Sequence, residues 1–236
     1  MTHPLDGAYV RLDRAGKHLA ELKETIGRFF DDEHEIAAQS VHFNPKPGPP
    51  VIYTRPESPI PQIVPVLVGE IVYHLRAALD YIVYELAILD SGSIQNGAQF
   101  PIESAPQGFQ GRVKTYLRGI NNTHAASIKA LQPYNGVNWT KTLQSISNPD
   151  KHRHLINQRH QSVINETLSK NPTDTPDLPG VLYIRADADL PDGGRMYMKL
   201  GVTLFISFDD GLPVIETLEK IKLEVANTLA NFQPEF

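Results

Sequence analysis

From Pro65 to Asp90 the chain carries its longest apolar run with helical patterning. Val68, Ile71, Val72, Leu75, Ala78, Leu79, Ile82, Val83, Leu86 and Leu89 recur at three- and four-residue steps. Such spacing covers much of a helix circumference, so it predicts a core helix lying between other elements rather than on the outside. The remainder of the chain has to supply the surfaces that cover it.

A chain of 236 residues, 41% hydrophobic, buries a substantial core. The expected organisation is a single domain over residues 1–236. Its formal net charge of −5 gives no global positive field for nucleic acid or an anionic membrane. The absence of cysteine excludes disulfides, thiolate ligands and cysteine nucleophiles. The N-terminal stretch has no apolar signal core, and no run reaches the roughly 18 apolar residues of a spanning helix. A cytoplasmic protein without membrane contact is the expectation.

Leu5 to Phe30 reads as a first helix, its stripe formed by Val10, Leu12, Leu19, Leu22, Ile26, Phe29 and Phe30. Short-period patterning over Glu35 to Phe43, then Val51 to Thr54 across a Pro/Gly turn, predicts a hairpin. Eight prolines from Pro45 to Pro65 exclude helix and make a rigid connection to the core helix. Gly108 to Gly119, Thr123 to Leu131 and Asn138 to Ser147 look like short helices. Asn148-Pro149-Asp150 has the form of a new helix start, with Asn as cap and Pro at the first position. Lys170 to Gly180 reads as a mobile loop. Val181 to Ile184 and Met196 to Phe208 predict a second hairpin, and Leu212 to Phe232 a closing amphipathic helix. The fold class expected is therefore α+β: a helical core around the long central helix, with two β-hairpins sharing one antiparallel sheet.

Three patches carry a resemblance: His74-Leu75-Arg76-Ala77-Ala78-Leu79-Asp80, Phe100-Pro101-Ile102, and Asn148-Pro149-Asp150-Lys151-His152-Arg153. In this order and spacing they resemble a widespread, uncharacterised family of bacterial proteins over most of the chain. That resemblance implies a bacterial domain and no particular chemistry. The LRAALDYIVYELA segment, with an Arg followed by a His after six residues, is also similar to the HEPN superfamily of helical ribonucleases and nucleotide-binding modules. On that similarity Arg153 and His160 are the catalytic pair of a metal-independent endoribonuclease assembled across a homodimer. HEPN domains are all-helical, whereas this chain carries strand signals.

The chemistry of the basic run depends on its conformation. In a helix, Arg153 and His160 stand about 20° from alignment and roughly 10 Å apart along the axis. Arg can then stabilise a phosphate while His moves a proton. In a strand, His152, His154 and His160 share a face, and with Asp150 they form a candidate transition-metal site. A second polar group lies on the core helix: His74, Arg76, Asp80 and Glu85. Arg76 and Asp80, four apart, can pair. Charged groups on an apolar helix need a partner or water, so these residues are expected to anchor the helix to a loop, with Asn148 to Arg153 as the loop. Together with Asp150, Lys151, His152 and Arg153 they form either a core polar network or a site for a small anionic ligand.

Phosphate-loop, zinc-peptidase and nucleophile-elbow signatures are absent, and no basic-aromatic stripe points to nucleic acid. No cofactor is implied. The reading that requires least is a non-enzymatic binding or interaction domain, homo-oligomeric, with a basic/His patch holding a small anion. The alternatives are the Arg153/His160 ribonuclease, with RNA as partner, and the His-based metal site.

Overall fold

The computed structural model describes the backbone of residues 3–40, 59–152, 158–169, 182–189 and 195–236, and the side chains of 3–31, 59–147 and 205–236. Helices carry most of these residues. The order is α1 (Asp6–Ser40), α2 (Ile63–Ser91), α3 (Pro106–Tyr116), α4 (Asn122–Ala130), α5 (Asn138–His152), β1 (Gln158–Ser169), β2 (Leu182–Asp189), β3 (Arg195–Phe208) and α6 (Val214–Phe232). Contacts divide the chain into two compact units. One comprises Met1–Glu24, Gln62–Asn157 and Ile215–Phe236; the other comprises Thr25–Pro61 and Gln158–Val214.

The first unit is helical and is organised on α2. Thirteen of its residues are buried, from Val64 to Ala87, and they include nine of the ten apolar positions that define its periodicity. Leu89 is the exception, 47% exposed in the last turn. Pro65 falls in the first turn, where a missing N–H costs no helical bond. Gly92 ends the helix at φ 68°, a left-handed conformation that favours glycine, and its N–H closes on the Ile88 carbonyl at 2.8 Å.

α1 lies antiparallel to α2. Gly7 meets Tyr81, Arg11 meets His74 and His18 meets Glu70 as the chain advances. Its buried stripe is Leu5, Ala8, Ala15, Leu19 and Leu22, continuing to Ile26 and Phe30, while Val10 is exposed. Small residues thus form the first part of the contact face. α6 also runs antiparallel to α1, joined by Tyr9 to Gln233 and Lys23 to Glu219, and buries the expected Val214, Leu218, Ile221, Val225, Leu229 and Phe232.

The second unit contains a three-stranded antiparallel sheet of order β1-β3-β2. β3 is central, pairing with β1 from Gln158↔Phe208 to Ser169↔Tyr197 and with β2 from Leu182↔Val202 to Asp189↔Arg195.

The expected α+β arrangement with two hairpins in one sheet is corrected by these elements. The leading strand of the first hairpin, from Glu35, is the end of α1 up to Ser40. Its Glu, Ala and Gln residues are good helix formers, and a few alternating positions do not outweigh an established helix. Val51 to Thr54 and most of the Pro-rich connection lie outside the described residues, as does Lys170 to Gly180. Three strands from residues 158–208 make the sheet instead, and its additional member, β1, is a mostly polar segment whose β-branched residues are Val163, Ile164 and Thr167. Asn148-Pro149-Asp150 does not start a helix either. α5 runs through it to His152, ending three residues beyond a proline that has no N–H for the Ser145 carbonyl. Among the described residues, no helix is long and apolar enough to cross a membrane.

Candidate functional site

The polar residues of α2 are the natural starting point, because every other face of that helix is apolar. Asp80 Oδ1 accepts the backbone N–H of Phe100 at 2.8 Å, and Arg76 Nη2 donates to the Phe100 carbonyl at 3.1 Å. One residue from each of two successive turns therefore holds both backbone groups of a single loop residue. The following positions are held in the same way. Gln132, fully buried, donates to the Pro101 carbonyl at 2.8 Å and accepts the Glu103 N–H at 2.9 Å; Gln144 donates to the Ile102 carbonyl at 2.6 Å. A buried segment outside any helix or strand thus has its main chain satisfied by side chains. The loop gripped by Arg76 and Asp80 is Phe100 to Ile102, not the expected Asn148 to Arg153. The first two of the three sequence patches are in direct contact.

Arg76 is only partly satisfied by this arrangement. Its Nε and Nη1 are inaccessible and without a hydrogen-bond partner among the described residues. Burial pushes the guanidinium below its ordinary value, with Asp80 and then Tyr116 opposing. Arg76 also lines a cavity of about 550 Å³ together with Arg11, Tyr73, Asp80, Tyr81 and Tyr84. The would-be Cβ of Gly7 lies 2.6 Å from Tyr81 Cε1, so only glycine at that position of α1 admits the Tyr81 ring where it stands. Arg11 reaches over the Tyr73 ring, 5.7 Å from its centroid.

Beside this cavity the imidazoles of His18 and His74 stack, with centroids 5.7 Å apart and planes 13° from parallel. Arg11 Nη1 approaches His74 Nδ1 at 3.4 Å, and His18 Nδ1 is 3.4 Å from Glu70 Oε2. Burial first, then the charges of Arg11, His18 and Arg14, hold His74 below its ordinary value against the opposing Glu70. Glu85, further along α2, is raised by burial.

A third polar cluster joins α2, α4 and the C-terminal turn. His124 Nδ1 stands 2.8 Å from Asp90 Oδ2, and its Nε2 is 3.3 Å from Glu235 Oε2. Asp90 also accepts the backbone N–H and the side-chain amide of Asn121, which caps α4 by accepting the His124 N–H at 2.9 Å. Burial is the largest single influence on His124 and pulls its value down. The hydrogen bonds to Asp90 and Glu235, with their charges, outweigh it and raise the value overall.

Comparisons with family models, with curated proteins and with solved structures give no match in any of the three.

The basic run is divided by the fold. Asp150, Lys151 and His152 belong to the last turn of α5, and their side chains lie outside the described ones. Arg153 and His154 lie outside the described residues, and His160 is on β1, in register with Ile206. The continuous helix from 149 to 165 that would align Arg153 with His160 does not form, because helix ends at His152 and strand begins at Gln158. The strand that would put His152, His154 and His160 on one face does not reach back to His152 for the same reason. Among the described residues, no three His, Asp or Glu side chains converge on a metal position.

Sequence reasoning singled out His74, Arg76 and Asp80 but missed Arg11, His18, Tyr73 and Tyr84. A signal for the tyrosines was present. Tyr73, Arg76, Asp80 and Tyr84 recur at three- and four-residue steps and mark the polar stripe of an otherwise apolar helix. Arg11 gave no such signal, since on α1 it is one of many charged residues.

Proposed function

We propose that the helical unit is a binding module, and that the cavity lined by Arg11 and Arg76 holds a small organic anion carrying a carboxylate, sulfate or phosphate group. The observation that carries this reading is the charge of the cavity wall, where the largely buried Arg76 stands with Arg11. Two guanidinium groups line the cavity against one carboxylate, and that carboxylate already accepts the Phe100 N–H. Tyr73, Tyr81 and Tyr84 add apolar ring surface and phenolic donors. The volume, about 550 Å³, falls within the range of small-molecule sites.

The test is calorimetric titration of the full chain with sulfate, benzoate and a nucleoside monophosphate. At least one is expected to bind, and Arg11→Ala is expected to weaken it fivefold or more with the fold intact by circular dichroism. No heat from any of the three anions, or equal binding by Arg11→Ala, would overturn the reading.

A further inference from the structure

The His74–Arg11 contact places a titratable base directly behind the cavity's anion-binding wall. Arg11 is always protonated and offers only donors. Its approach to His74 Nδ1 at 3.4 Å therefore requires that nitrogen to act as acceptor, which means a neutral imidazole. The groups facing His74 come from both helices that enclose it. From α1 these are Arg11, Arg14 and the stacked His18; from α2 they are Glu70 and Tyr73, whose ring meets His74 edge-on at 5.4 Å. Glu70 is the one carboxylate among them, and it lies close to His18 Nδ1 as well. The surroundings of His74 are thus dominated by positive charge, and Arg11 is both the nearest cation and the donor that occupies Nδ1.

We infer that the cavity takes up its anion together with a proton on His74. The inference rests on the proposed anion site. An anion seated against Arg11 neutralises the closest positive charge and gives the guanidinium a stronger acceptor than a neutral imidazole. Both effects release Nδ1 and make the imidazolium less costly. Linkage is reciprocal, so a proton on His74 strengthens anion binding by the same factor by which the anion favours the proton. His74 is a positioning residue in this scheme: it acts on the anion through Arg11 and through charge, without lining the cavity. In the free protein it is held below its ordinary value of 6.5. Affinity therefore rises as pH falls through the anion-bound value of His74, and levels off below the free value.

Sulfate is the suitable probe because its charge does not change between pH 5 and 8. Titration of the full chain at pH 5.5 and pH 8.0 is expected to give several-fold tighter binding at the lower pH. His74→Gln, which cannot titrate, is expected to lose most of that difference, and His18→Gln to keep it. A second readout does not depend on the variants folding: the NMR titration of the His74 Cε1 proton in the wild-type chain should move to higher pH when sulfate is added. Sulfate binding that is equal at both pH values, or a His74 titration unmoved by sulfate, overturns the coupling and leaves the anion site standing if Arg11→Ala still weakens binding fivefold or more. Should sulfate not bind, benzoate, also ionised from pH 5.5 to 8, replaces it in the same test, and no binding of any of the three anions overturns both.

Discussion

Asp80 accepts the backbone N–H of Phe100 at 2.8 Å, across a gap of twenty residues in sequence, while Arg76 takes the carbonyl of the same residue. Phe100 is itself 1% exposed and Ile102 is 4% exposed. The apolar side chains could not be buried here unless the main chain between them were satisfied, and no strand or helix is present to do it. Four side chains, Arg76, Asp80, Gln132 and Gln144, supply what a sheet ladder would otherwise provide. Charged residues on the core helix are thereby explained without invoking chemistry for Asp80.

Removing the carboxylate should therefore be a stability lesion. Asp80→Ala leaves a buried N–H without its acceptor and Arg76 without its nearest counter-charge. Hydrogen bonds to charged groups contribute about 1.5–3 kcal/mol, and the orphaned partner adds to the loss. The expected result is a fall of about 3 kcal/mol in unfolding free energy, read from urea denaturation, with Asp80→Asn recovering part of it. A change within about 0.5 kcal/mol, the usual range for surface positions, would refute the anchoring role.

The central helix, the closing helix α6 and the pairing between β2 and β3 could be read from periodicity, because burial on one face imposes a repeat that the chain displays locally. The end of α1 could not. Glu35 to Ser40 has too few apolar residues to separate a period of 2 from one of 3.6, and helix propensity decided it. At residues 148–160 a proline preceded by asparagine looks like a start, yet α5 already had its buried face in Trp139, Leu143 and Ile146 and simply ran on. The site was half legible. The stripe on α2 was visible, but which loop it holds, and which cation from α1 joins it, depend on contacts distant in sequence that leave no local pattern.

Gly7 offers a test of the cavity wall that leaves the charges untouched. Gly7→Ala removes a helix-weakening glycine, a gain of about 0.5–1 kcal/mol, but places a methyl 2.6 Å from Tyr81 Cε1. Displacing a packed ring costs roughly 1–3 kcal/mol, so the clash wins. The expected outcome is a net loss of about 1 kcal/mol, with altered ring-proton shifts for Tyr81 and weaker anion binding. A variant more stable than wild type, with the Tyr81 resonances unmoved, would mean that the helices separate easily at this point and that the ring position is not fixed by Gly7.

His124 makes a prediction whose sign is set by its surroundings. Asp90, with a side chain only 7% exposed, and Glu235 both favour the imidazolium, and the folded protein raises the His124 pKa above 6.5 despite burial. A group that binds its proton more tightly when folded contributes its full stabilisation below the unfolded value, and loses it as pH rises through the folded value. The attachment of the C-terminal turn to α2 and α4 should accordingly weaken on passing from pH 6 toward pH 8.5. His74, with its value lowered, acts in the opposite sense, so the test is a difference: wild type minus His124→Gln, by urea unfolding across that range. The difference is expected to be largest near pH 6 and to shrink steadily as pH rises. Protection of the Gln233, Glu235 and Phe236 amides, taken relative to their intrinsic exchange rates at each pH, should fall over the same interval. A difference that is flat with pH, or that grows toward alkaline pH, would show that the imidazole is held neutral between its two carboxylates and that the cluster is not a charged staple.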